Sequence, residues 1–521
     1  MVLLLLFSQV ETLWSFDWGF FKANYQVNAV LRDSTDNLYI YTEESEYPIK
    51  KLYVLGGVLY ALTENGIYSY SYDAATGTGK WSIITGDDEE ESFIFQAQDL
   101  YAKQVSSSKP VIVGTSSGAY FSLNGGLRWS DGNEYLESKN IKAVTIVPDT
   151  VPLSRYYYFF AVSQDGYVYQ SNKTPPFRGW TLITRKIYET DLEAETYGTV
   201  PGGWSENQVE DEALFDIRVD SLNGEQALLL LGSHTNDTTS EAVSITYSFD
   251  PVPGIIWKFS FFAQDAGYYF TQDTIYDTVI VQDGDTFYFD TLFVNQQEHY
   301  NSGPEFVVYD ADGNPVAEIG VISGKILYYS VDEGWKPIYT IERGETYPLK
   351  IEIYNGKGKV YIENTLFGEF DLLSAGEVAG IAYRVNTNSY TTWVDNIQVY
   401  ALPSVPGEIY DVVEVAGEIN VLVSSSEGIY TWKDENDGFV KVSDAVMTSM
   451  KWSQTDTTLF GIGEDGVYVA SEDYSTWTKI LDRNDVLTVE ALNKDIIWVG
   501  LNGGGILRTL DGGTNWVEIN T

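Results

Sequence analysis

The chain has 521 residues, 44% of them hydrophobic and 15% aromatic, with 39 Tyr and 14 Trp. This composition excludes a disordered chain and leaves room for two or more domains, and the weight of aromatics favours pleated sheet. Its 75 acidic residues against 31 basic ones give a net charge of −44, which disfavours nucleic acid and anionic membranes as partners, while the lack of cysteine excludes disulfides, thiolate metal sites and a catalytic thiol.

In chain order, the first signal is the apolar run Val2 to Phe7. It is too short to span a membrane, and no basic residue precedes it. It reads as a buried strand, expected to pair beside a blade from the other end of the chain. No later stretch approaches a transmembrane helix, so no membrane span is expected. Ser15-Phe16-Asp17-Trp18-Gly19 resembles a decayed copy of a motif that recurs below, and residues 24–50, with Asn37 to Tyr41, form a partial unit.

Clear units of about 40 residues follow at 51–86, 93–135 and 140–184, and again at 407–443, 444–482 and 484–520. Each contains a strand opening on glycine: Gly66-Ile67-Tyr68, Gly118-Ala119-Tyr120, Gly166-Tyr167-Val168, Gly428-Ile429-Tyr430, Gly466-Val467-Tyr468 and Gly505-Ile506-Leu507. Two of these strands run into the same motif, S/T-x-D/N-x-G-x-x-W: Ser122, Asn124, Gly126 and Trp129, then Thr509, Asp511, Gly513 and Trp516. Ser471, Asp473 and Trp477 form a third copy, one residue short and without its glycine. The side-chain oxygen accepts bonds from turn amides, glycine takes a conformation closed to other residues, and Trp is expected to pack buried under the turn. The acidic run Asp87 to Glu91 reads as a solvated loop, and Asn172 and Asn236 head glycosylation sequons.

Between 187 and 402 this rhythm stops. Alternating strands such as Tyr347 to Tyr354 take over, and the segment ends on Trp393-Val394-Asp395-Asn396-Ile397-Gln398-Val399-Tyr400. It is the more acidic part, with 35 acidic and 9 basic residues. Glu189, Asp191 and Asp395 lie near its two ends, and hard oxygen ligands there would suit calcium; the alternative is ordinary surface acids. No other cofactor is implied.

The repeated turn resembles the Asp box of sialidases and related propellers. The segment 187–402, through its opening, its Tyr347–Tyr354 strand and its ending, resembles the concanavalin A-like jelly roll of lectins, glucanases and laminin-G-type domains. Together these imply an all-β chain: a β-propeller over 1–186 and 403–521, with seven blades expected and six the alternative, interrupted by an inserted β-sandwich jelly roll. Some bacterial sialidases have this arrangement. Their catalytic set does not carry over, because the Arg-x-Pro motif is absent. Arg32 is followed by Asp33 and Ser34, Arg128 and Arg508 belong to box strands, and there are ten arginines in all. His234 and His299, both in the insertion, are the only histidines, which excludes a Ser-His-Asp triad in the propeller. The jelly-roll glucanase motif Glu-x-Asp-x-x-Glu is absent too.

The expected function is therefore non-enzymatic. The chain reads as a surface or virion structural protein whose modules bind glycans, a cell-surface receptor, or other structural proteins of the same assembly. A glycoside hydrolase carrying the jelly roll as a carbohydrate-binding module is the alternative. An extracellular surface or virion is the expected location.

Overall fold

The structure is a computed structural model. It describes residues 4–5, 27–32, 38–42, 49–55, 58–63, 66–73, 78–83 and 97–518, the last with breaks at 104, 127, 134–135, 137, 150, 152–153, 208–214, 223, 233–241, 264–301, 323, 343, 387–391, 416–420, 454 and 503–504. The Ser15, Asp87–Glu91, Asn236, His234 and His299 expectations lie outside the described residues. Every described element is a strand and every strand pairing is antiparallel. The chain divides into two compact units, Met1–Thr184 with Ser404–Thr521, and Arg185–Pro403.

The first unit holds seven small sheets. Blade 1 comprises Val27–Arg32, Leu38–Thr42 and Leu4–Leu5, in the spatial order inner, second, third. The other six are four-stranded meanders whose inner strands are Ile49–Leu55, Ala97–Ala102, Ile141–Pro148, Ile409–Glu414, Ser449–Trp452 and Val486–Ala491, defining blades 2 to 7. Each inner strand touches the inner strand of the next blade, and that of blade 7 touches that of blade 1. This closes a seven-bladed β-propeller. Blades 4 and 5, which the insertion separates in sequence, lie side by side. The N-terminal strand departs from expectation: its described residues, Leu4 and Leu5, pair with Tyr39 and Leu38 of blade 1 and not with a blade from the other end of the chain.

Second strands such as Val111–Thr115, Val421–Ser425 and Ile497–Leu501 are buried at every position, because neighbouring blades cover both of their faces. Their sequences are accordingly apolar without alternation. The fourth strands of blades 3 and 7 are exposed throughout. Six of the seven inner strands also carry a register shift near their start, at Val27/Ala29, Ile49/Lys51, Ala97/Asp99, Ile141/Ala143, Ile409/Asp411 and Val486/Thr488. A bulge adds twist and re-aims the side chain after it, and in three blades that side chain is charged: Lys51, Asp99 and Asp411.

The second unit is a β-sandwich of the jelly-roll class. Its first sheet runs Phe215–Leu222, Glu225–Gly232, Thr392–Leu402, Gly254–Ala263, Thr346–Tyr354, Lys357–Ile362, Thr365–Asp371, and Lys186–Thr190 also pairs with Thr392–Leu402. The second runs Ser205–Asn207, Ala242–Val252, Val378–Asn386, Ser302–Asp310, Pro315–Ile322, Lys325–Ser330, Gly334–Thr340. Between them lies one core in which Trp257, Phe259, Phe306 and Tyr383 meet.

Candidate functional site

The box turns are alike bond for bond. Gly126 N donates to Ser122 Oγ at 2.8 Å, Ser122 Oγ to Asn124 Oδ1 at 2.8 Å, and Arg128 N to Asn124 Oδ1 at 3.0 Å. In blade 7, Gly513 N donates to Thr509 Oγ1 at 2.9 Å, Thr509 Oγ1 to Asp511 Oδ1 at 2.8 Å, and Asn515 N to Asp511 Oδ1 at 2.8 Å. Donation from Asn515 and Thr509 holds the Asp511 carboxyl below its ordinary range. Gly513 has φ of 91°, and a Cβ there would come within 2.9 Å of the Ile480 carbonyl oxygen in blade 6. In the short copy, Asp473 accepts Ser471 Oγ at 2.6 Å and Ser475 N at 3.2 Å, and Tyr474, at φ of 61°, stands where the other turns have two glycines. In blade 4, Asn172 Oδ1 accepts Arg178 N at 2.6 Å, so the sequon asparagine braces its own loop.

The tryptophans correct the expected packing. Trp129, Trp477 and Trp516 are half-buried, and they reach toward the preceding blade. Trp516 Nε1 donates to Ile480 O at 3.0 Å. Trp129 packs on a core shared with Tyr60, Leu62 and Ile67 of blade 2, and Trp477 on one shared with Leu422 and Ile429 of blade 5. The box is thus an inter-blade fastener. Its side chains serve folding.

At the propeller axis the carboxylates are already engaged. Lys51 Nζ lies 2.8 Å from Asp99 Oδ1 and 3.4 Å from Asp411 Oδ1. Asp99 Oδ2 accepts Val144 N of blade 4 at 2.8 Å, and Asp411 Oδ2 accepts Met450 N of blade 6 at 2.8 Å. Both bonds satisfy amides on the otherwise open edge of the next inner strand. Burial pushes the Asp99 carboxyl up, and Lys51 pulls against it. Lys451 lies 3.1 Å from the buried Glu490, and Lys103 pairs with Glu414. Among the described arginines, Arg483 is forked to Asp485, Arg218 donates twice to Asp220 Oδ2, and Arg128 is exposed in its box.

Each member of the calcium trio is engaged by its own neighbours. Glu189 faces Lys186 at 2.9 Å and Gln398 at 2.9 Å, Asp191 caps Glu193 N at 3.2 Å, and Asp395 accepts both nitrogens of Asn396. Burial, with smaller contributions from the charges of Glu193, Glu225 and Asp191, pushes Asp395 up. Among the described residues no three His, Cys, Asp or Glu side chains form a metal-holding group. The terminal strands do neighbour each other, but Glu189 pairs with Gln398 and Thr190 with Ile397, so the register sets Glu189 away from Asp395.

The second sheet of the sandwich offers a different surface. Across it, Arg384 pairs with Glu305, Glu305 with Gly320, Gly320 with Leu327, and Leu327 with Pro337. Their chain neighbours Tyr383, Phe306, Ile319 and Ile326 are in the core, so alternation puts this row on the outer face. Trp335, on the edge strand, reaches back over Leu327 to Gly320, where a Cβ would meet Cη2 and Cζ3 of its ring at 2.9 Å. Tyr329 stands edge-on to it at 5.5 Å. Beside this platform Arg384 is held by Glu305, and its Nη2 lies 3.3 Å from Glu318 Oε1. Burial pushes the nearby Tyr309 hydroxyl up, against the pull of Arg384. An indole lying on glycine next to a planar guanidinium–carboxylate network can stack on a sugar face and bond its hydroxyls.

No protein-family model matches the chain, and no curated protein matches it in sequence. Among solved structures it is similar to a sialidase at a TM-score of 0.29 and 9% identity, covering 73% of this chain and 45% of that one. Domain 4 of a GH43 extracellular arabinanase from Geobacillus stearothermophilus, solved with arabinotriose, gives 0.26 and 12%, covering 42% of this chain and 93% of that one. Carbohydrate-binding module CBM66 from Bacillus subtilis gives 0.22 and 11%, covering 40% and 99%. The chain spans less than half the length of the sialidase. Likenesses this loose leave the functional reading to the chain's own residues.

Proposed function

We propose that the chain is a non-catalytic glycan-binding protein displayed on a particle or cell surface, and that the outer face of the second sandwich sheet takes the sugar. One observation carries this: the Trp335 ring packs over Gly320 beside the Glu305–Arg384–Glu318 network. Stacking and hydroxyl bonding need no reacting group, and a net charge of −44 favours an uncharged or weakly charged ligand. The axis supports a role without turnover, because its carboxylates are bonded to lysines and to backbone amides.

Calorimetric titration of the full chain with uncharged oligosaccharides tests the reading. Trp335→Ala is expected to weaken binding at this face at least tenfold, or about 1.4 kcal/mol, with an unchanged melting temperature. Gly320→Val, which displaces the indole, should do the same. Unaltered binding in both variants would overturn the assignment. Hydrolysis of the same sugars, abolished by changing one carboxylate, would overturn the non-catalytic part.

A further inference from the structure

We infer that the propeller carries its own binding site for an uncharged glycan, in the cleft beside the shortened box turn of blade 6. The cleft has a volume of about 930 Å³ and opens where the inner strands of blades 3 to 6 end. That size lies within the range of sites for small ligands, about 300–1,000 Å³. Tyr101, Lys103, Glu414, Trp452, Asp456 and Tyr474 are among its walls.

Two of these side chains are set in advance. Trp452 Nε1 donates to Glu414 O at 2.7 Å, which fixes its indole against the neighbouring blade. Tyr474 stands edge-on to it, ring centres 6.3 Å apart. Tyr474 occupies the turn position that the boxes of blades 3 and 7 fill with two glycines at φ between 69° and 91°. A bulky residue at φ of 61° is an outlier, and such outliers persist where the surroundings hold them and function uses them. The turn has kept its Asp473 bonds, lost its glycines, and gained a ring at the one box that borders this cleft. The other boxes put small or exposed residues there, so the tyrosine is the departure that needs a reason.

The charges in the cleft point to a neutral ligand. Lys103 is paired with Glu414. Asp456 accepts Ser453 Oγ, Thr458 N and Lys494 N. Ionic ligands would have to break these bonds, whereas a pyranose needs aromatic faces with polar groups at their edge. This site lies in the first unit and does not rest on Trp335.

The test is calorimetric titration of the full chain carrying Trp335→Ala, so that remaining binding belongs elsewhere than the sandwich face. The probes are β-1,4-glucan, xylan and arabinan oligosaccharides of three to six sugars, with sialylated lactose as the charged comparison. The Tyr474 ring also packs on the core shared by blades 5 and 6, so two variants are needed. Adding Tyr474→Gly is expected to weaken the remaining binding at least tenfold. Adding Tyr474→Leu, which keeps an apolar side chain on that core without an aromatic face, is expected to weaken it as much with a smaller loss of melting temperature. Loss of affinity in both variants despite their different stabilities distinguishes a ligand-facing ring from a structural one. No binding in the Trp335→Ala chain, equal affinity with and without Tyr474, or tight binding of the sialylated sugar would each overturn the inference. Wild-type binding that survives Trp335→Ala and vanishes in Tyr474→Gly would sink the sandwich reading and uphold this one.

Discussion

Thr509 shows what one hydroxyl does in this fold. It is 1% exposed, donates to Asp511 Oδ1, and accepts the amides of Asp511 and Gly513. Thr509→Val keeps the shape and removes these bonds, leaving the half-buried Gly513 amide without its partner at a cost of about 1 kcal/mol. Ser471 has the same role in blade 6, but its turn is exposed and water can replace the lost bond. Thr509→Val is therefore expected to lower the urea midpoint clearly and Ser471→Ala much less. Equal losses would mean that the turns differ in sequence only.

Among the elements, what was legible in the sequence was whatever closes within a few residues. The Gly-led strand and the box bond within an eight-residue span, so spacing alone reveals them, and their recurrence fixes the blade. The inner-strand bulge left no mark, because it inserts a residue of any type. Asp99 reads as one more acid among 75, and its partner amide, Val144 N, is 45 residues away. The same holds for Asp411 and Met450, 39 apart. On the sandwich, Gly320 and Trp335 are joined by a register across two strands, and without that register Trp335 is just one of 14 tryptophans. The Glu189, Asp191 and Asp395 set was half legible: nearness of strand ends was readable, but the pairing that turns Glu189 to Gln398 was not. Local turn chemistry sets the repeat, and long-range register sets the sites.

At the scale of the whole propeller, Lys51 links three blades through two nearly buried carboxylates. Lys51→Met is expected to destabilise the propeller by about 3–5 kcal/mol at pH 7, since it leaves buried charges unpaired. The deficit should shrink in acid. Without Lys51, the already raised Asp99 rises further above its unfolded value near 4. A raised acid contributes stability that is present below the unfolded pKa and is lost as pH rises through the folded one. Urea midpoints at pH 4 and pH 7 should therefore lie closer to wild type at pH 4. A deficit independent of pH would show that Lys51 acts through packing of its stem.

The insertion should be removable. Its first strand, Lys186–Thr190, pairs with its last, Thr392–Leu402, so its two ends lie side by side. The propeller already holds both ends of that gap: Val168 N donates to Ser404 Oγ at 3.2 Å and Val405 N to Gly166 O at 2.9 Å, while Trp180–Ile183 pairs with Val168–Ser171. The facing core of blades 4 and 5, where Phe160, Val162 and Val168 meet Val412, Val421 and Val423, is built among the described residues from positions 143–183 and 405–439. Replacing 185–403 by a short Gly-Ser linker should thus keep every contact between these blades and add only a small loop-closure entropy. The shortened chain is expected to be folded and strand-rich by circular dichroism, with one cooperative melt. Collapse into aggregate, or a melt without cooperativity, would mean that the sandwich is needed to hold blades 4 and 5 together.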